Sequence, residues 1–500
     1  MTYSTPLRSA VCIAALFVGG TAQADVTAAQ VWDHWKTQMG LYGEDGISIG
    51  SEEVDGDTLT VSDLKATIDD GDIKVEASMG DLVFTEQGDG TVSVTMAESY
   101  PVILTNPDGG VITLDVTQSG MSMIVSGDPD AMNYEVSADS YGIAFRDMVD
   151  GDVTVTGDAE LVANDFSGQY TASGEDLRDL SYDLKIASLD ILVDFEIPGA
   201  AGEYVTGSGK LENMAMQADM TIPADLDFEN PDDAFSKGMS MKGGYTIDSA
   251  AYVFDFNADG DQASGSASNG ATVLDFNIDI SEIAYSVEAS DMSINLTASE
   301  MPFPVEIGLA KYGVAVEAPV GKTEEPEDFG MKIDLVDLTV NDMIWDLFDA
   351  GQVLPRDPAT FQFDVSGKAK ALFDLMDPDQ ASEIAQSDMP FELESLSLND
   401  LRLAVAGALV TGSGEFTFDN SDLETFDGMP RPEGEAVVEV NGLNALLDNL
   451  VAMGLVPEDQ IMGGRMMMGM FARSVGDDQL ESKLEVNGEG HVLVNGQRMR

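Results

Sequence analysis

Val273-Leu274-Asp275-Phe276-Asn277-Ile278 alternates apolar and polar side chains from Leu274 onward, and Tyr252-Val253-Phe254-Asp255-Phe256 reads in the same manner. A period of two places alternate residues on opposite faces of an extended chain, so each stretch predicts a β-strand with one buried and one wet face. The same pattern is found in Thr58-Leu59-Thr60-Val61, Ile73-Lys74-Val75-Glu76-Ala77, Val92-Ser93-Val94-Thr95-Met96 and Val111-Ile112-Thr113-Leu114-Asp115-Val116. It returns in Ile294-Asn295-Leu296 and Ile333-Asp334-Leu335. The spacing, roughly 8–12 residues with turn residues between, is that of antiparallel sheets. Asp55-Gly56, Asp108-Gly109 and Asp150-Gly151 suit hairpin turns.

Helices interrupt the pattern in three places. Thr27 can cap an opening helix in which Val31, Trp32, Trp35 and Met39 fall at helical spacing, ended by Gly40 and Gly43. A short helix is expected at 343–348, stopped by Gly351 and Pro355. Residues 441–473 read as a helical hairpin: Leu443 to Met453, a break at Gly454 and Pro457, then Gln460 to Ala472. The expected fold is therefore mostly β, a long curled antiparallel sheet or two stacked β units, with an N-terminal helix and a helical hairpin near the C-terminus. Val205-Thr206-Gly207-Ser208-Gly209 recurs as Val410-Thr411-Gly412-Ser413-Gly414, which hints at two related halves. The acidic run 324–328 places the boundary, giving regions 25–328 and 329–500.

The first 24 residues have the parts of a secretory signal: Arg8, an apolar run from Ala10 to Val18, and Ala22-Gln23-Ala24 before Asp25. Cleavage between Ala24 and Asp25 and a periplasmic location are expected, with no membrane-spanning segment in the mature chain. The single cysteine, Cys12, lies inside that segment, so the mature protein has no disulfide or thiolate chemistry. Lys and Arg number 23 against 91 Asp and Glu, a net charge of -68, which excludes nucleic acid as a partner. The acids are spread along the chain, as a solvated surface requires.

The layout from the two tryptophans to the last residue resembles an uncharacterised family of alphaproteobacterial periplasmic proteins, domain of unknown function 2125. The stretches that carry the resemblance are Trp345-Asp346-Leu347-Phe348-Asp349, 354–360 (Leu-Pro-Arg-Asp-Pro-Ala-Thr) and Val494-Asn495-Gly496-Gln497-Arg498. It implies no activity and no catalytic residues. More distantly, the C-terminal third resembles AsmA-like envelope proteins through Gly454-Leu455-Val456-Pro457 between helices and a final hairpin. That likeness implies a role in outer-membrane biogenesis or lipid movement, with sheets that curl around an apolar groove.

Catalytic motifs are weak. His34 and His491 are the only histidines, and neither has a second ligand at i+4 or an HExxH setting. Gly46-Ile47-Ser48-Ile49-Gly50 matches the nucleophile elbow, but a turn rather than a helix is expected after it. Asn257-Ala258-Asp259-Gly260-Asp261 clusters oxygen donors without the EF-hand order and reads as a turn. No cofactor or metal is expected.

The 27 methionines are the most unusual feature, with Met462, Met466, Met467, Met468 and Met470 crowding one helix. Three readings compete: core filling, an adaptable apolar surface, and a Cu(I) site. The sequence therefore nominates Met462, Met466, Met467, Met470 and Phe471 as ligand-binding residues of a non-enzymatic envelope protein that takes a lipid or other apolar ligand, or supports envelope assembly with other proteins. The alternatives are a hydrolase of an envelope polymer acting through carboxylates, and a purely structural partner-binding protein.

Overall fold

A computed structural model describes residues 25–500 except 41–45, 70–72, 152, 175, 197–201, 225, 227–233, 378–379 and 388. The expected signal segment and cleavage point at Ala24 lie at or beyond that limit. Strand accounts for 65% of the chain and helix for 10%. The 28 strands among the described residues belong to one sheet. Pairing is antiparallel throughout, so the expectation of a long sheet holds and that of two stacked units does not. Hydrogen bonding runs from Val305–Pro319 into Glu327–Val340, across the expected 328/329 division.

The strands are longer than the sequence segments suggested. Ala131–Asp150, Leu177–Glu196 and Tyr204–Pro223 have 20 residues each, and Gly157–Ser173 and Glu282–Ala298 have 17. Leu177–Glu196 shows why simple alternation does not reveal their full length. It places Leu180, Tyr182, Leu184 and Ile186 on one face, then changes phase and places Leu189, Ile191, Val193 and Phe195 on the same face. Ala187, at the change, pairs with neither neighbouring strand. One unpaired residue turns the pleat over, so the apolar side chains must move from even to odd positions to keep facing the same way.

This irregularity repeats across the sheet. Asp139, Asp165, Ala187 and Asn213 are skipped side by side in four consecutive strands, as are Asp291, Ala310 and Asp337 farther on. Asp165, Asn213, Asp291 and Asp337 have φ of 48°, 51°, 50° and 55°. Asp and Asn enter this left-handed region at less cost than other L-residues, which explains their choice at the seam. The hairpin turns behave as read: Asp259 (φ 55°) and Gly260 (φ 91°) link Ser249–Ala258 to Asp261–Asn269.

Helices sit at the two ends. Ala28–Gly40 starts with a capping box in which Thr27 N donates to Gln30 Oε1 (2.9 Å) and Gln30 N donates to Thr27 Oγ1 (3.3 Å). It lays Val31 and Trp32 on Leu59, Val61, Leu64, Leu82, Phe84, Val92 and Val94, forming the protein's one large hydrophobic cluster among the described residues. Leu443–Ala452 and Glu458–Phe471 form the expected hairpin at the other end. The short helix Asp342–Asp346 is also present. No helix among the described residues is long and apolar enough to cross a membrane.

Candidate functional site: an uncovered apolar face

The apolar rows of successive strands join. Phe195 pairs with Val205, which pairs with Phe256; Ile294 pairs with Ile307; Ile333 pairs with Phe363, which pairs with Leu401. The row continues through Leu403, Val410 and Val440 to Leu480. The opposite face is mainly polar, as in Asp179, Ser181, Asp183, Lys185, Ser188, Asp190 and Asp194 of a single strand, with Leu177 and Leu192 also on it. From Leu177–Glu196 to Gln479–Val486 twelve strands stand abreast, so the path across them is on the order of 50 Å at the usual ~4.8 Å spacing.

Little of this face is covered. Close backbone approach is confined largely to hydrogen-bonded neighbours, apart from one approach of Val305–Pro319 to Ala359–Ala371. Every large apolar side chain that is fully buried among the described residues lies at or before Met132, where the opening helix covers the sheet. Beyond that point the buried apolar residues are mostly alanines, whereas Leu161 and Val205 are each 41% exposed. In a protein with a sealed core such residues are among the most buried. Glycines on this face make room for rings: a Cβ on Gly209 would lie 2.7 Å from Tyr252.

Several of the nominated residues stand at the C-terminal end of the face. Met462, Met466 and Met470 form an exposed row at i, i+4 and i+8, Met466 being 77% exposed. Met467 and Phe471 form a second row, which with Gly464, Met468 and Ala472 faces Val438, Val440, Leu480 and Ser482 across a cavity of about 400 Å³. Arg465 ties this helix to its partner by donating to Asn444 O (3.0 Å) and Asp448 Oδ1 (2.8 Å). The strand residues of the apolar face were not nominated individually by the sequence, although the alternation of each strand carries them.

No group of His, Cys, Asp and Glu among the described residues could hold a metal ion. His34 Nδ1 lies 2.6 Å from Tyr134 Oη, and burial, with help from Arg178, pushes the imidazole pKa down. It packs where the opening helix meets the sheet. His491 Nδ1 lies 3.3 Å from Glu489 on a turn. After Gly46–Gly50 the chain enters the strand Ser51–Asp55, so the elbow geometry is missing there. Asn257 donates to Gly202 O (2.8 Å), and its loop is a hairpin turn.

The polar face has a hollow of about 790 Å³ lined by Asp219, Lys242, Asp275, Glu317, Lys332 and Asp364 among others. Asn277, also in its lining, donates to Glu282 (3.3 Å). Burial, with Glu317 and Asp279 nearby, raises the Glu282 pKa.

No curated protein and no solved structure matches the chain. The family model described as "uncharacterized protein conserved in bacteria (DUF2125)" matches residues 238–495, which include the second half of the apolar face and the methionine-rich helix. The chain belongs to this family of uncharacterised bacterial proteins.

Proposed function

We propose that this protein is an exported, periplasmic, non-enzymatic binder of lipid or another apolar ligand, which lies along the uncovered face of the sheet. One observation carries the reading: a continuous apolar surface, many strands long, on which Val205, Ile294 and Leu403 are about two-fifths exposed and the other large side chains of the row are only half-buried. Contiguous apolar patches beyond a few hundred Å² mark binding surfaces in soluble proteins. The likeness of the C-terminal third to AsmA-like envelope proteins agrees with it. The same face could serve envelope assembly, with a lipid-bearing partner as the occupant.

Protein purified from the periplasm under native conditions should carry extractable lipid, seen as discrete mass increments by native mass spectrometry. Val193→Asp and Ile333→Asp, placed mid-face in different strands, should lower lipid occupancy at least several-fold. Lipid-free protein that also fails to take up a long-chain lipid added in vitro would overturn the proposal. The hydrolase reading has the raised Glu282 beside the polar hollow in its favour. It requires polymer cleavage that Glu282→Gln abolishes.

A further inference from the structure

We propose that the cavity between the helix Glu458–Phe471 and the strands Arg431–Asn441 and Gln479–Val486 is a slot for one unbranched alkyl chain, at the C-terminal end of the apolar face. This rests on the reading of that face as a ligand surface. Val438 pairs with Ser482 and Val440 with Leu480, so the slot's floor is the apolar row itself, continued under the helix. Its volume, about 400 Å³, is at the low end of small-molecule sites, which span roughly 300–1,000 Å³.

The chemistry of the lining suits the alkyl part of a ligand and leaves any polar head outside the slot. Val438, Val440, Met467, Met468, Phe471 and Leu480 supply only hydrocarbon and thioether. The one side-chain hydroxyl there, Ser482 Oγ, donates to Phe471 O at 2.6 Å and is occupied in fastening the helix end. Methionine side chains are unbranched and flexible, and repack readily along an alkyl chain.

The glycines supply an independent argument. Gly463, Gly464 and Gly469 stand inside this helix, where each costs about 1 kcal/mol relative to alanine. Glycines in helices usually admit a second element at close range, but a Cβ on any of these three would meet no heavy atom within 4 Å. Gly464 lines the slot. The room it leaves is filled by none of the described residues.

The test is methionine oxidation by hydrogen peroxide on the full mature chain, with each sulfoxide quantified by mass spectrometry. The probe is a dodecyl chain on an uncharged maltose head, kept below its micelle concentration, with binding monitored separately by native mass spectrometry. The expected result is that Met467 and Met468 oxidise at least threefold more slowly with probe, while Met462 and Met466 are unchanged. Gly464→Leu, which fills the slot and favours the helix, should remove that protection. Probe that binds without protecting Met467 and Met468 overturns the slot and leaves the face reading standing. Equal protection of all four methionines, or protection that survives Gly464→Leu, also overturns it. No binding of probe at all overturns the reading on which the slot rests.

Discussion

Replacing Trp32 by alanine should loosen one end of the sheet and leave the other untouched. Trp32 is 1% exposed and packs on Phe84 with ring centroids 5.8 Å apart. Its Nε1 donates to Glu52 Oε1 at 2.7 Å. Removing a buried tryptophan costs about 3–5 kcal/mol, and the hydrogen bond to a half-exposed carboxylate adds about 1 kcal/mol. Each strand leans mainly on its immediate neighbours, so the loss should remain local, as in repeat proteins. A local loss of ~4 kcal/mol corresponds to about a thousandfold more frequent opening. Native-state hydrogen exchange resolves this by segment. Amides of Thr58–Asp69 and Lys74–Glu86 should exchange up to about a thousandfold faster, and those of Arg431–Asn441 should not change. Trp32→Phe, which keeps a ring, should give a smaller effect. Unchanged exchange in the first two strands, or equal acceleration in the last, would refute this picture of local support.

Asp165→Val should destabilise the protein by about 1–2 kcal/mol, because a β-branched residue must enter φ near 48°, whereas Asp165→Gly should be close to neutral; chemical denaturation of the two variants compares them. Asp334 is nearly buried, with Lys311 Nζ at 3.2 Å and Gln362 donating at 3.0 Å; these partners overcome the upward push of burial and hold its pKa below the ordinary aspartate value. Its contribution to stability is therefore present above that value, about 3.9, and is lost as pH falls through the lowered folded value. Melting curves of the parent and Asp334→Asn should accordingly differ most near neutral pH and converge in strong acid; a difference independent of pH would refute the assignment.

The sequence showed the class of fold because short alternating segments such as Leu274 to Ile278 remain in one phase. It concealed the long strands between Ala131 and Pro223 because each changes phase near its centre. A window spanning Ala187 or Asn213 reads as noise, although an even-to-odd shift beside Asp, Asn or Ala is the mark of an unpaired residue inside a strand. The terminal helices were legible from caps and glycines, and the methionine helix from its composition. That one face would lack a covering layer could not be read from alternation, since a covered and an uncovered face share the same pattern. The polar hollow was missed because its residues come from seven separate strands and share no local motif.

The seam of unpaired residues makes strand count and strand length independent variables. Since Ala131–Asp150, Gly157–Ser173, Leu177–Glu196 and Tyr204–Pro223 cross the seam in step, insertion or deletion of a whole hairpin among them would leave the register of the rest undisturbed. Each such event would alter the reach of the oily surface by two strand spacings, about 10 Å, at constant width. A protein built this way is a gauge whose span evolution can reset by duplication, while the helices at its two extremities remain as they are.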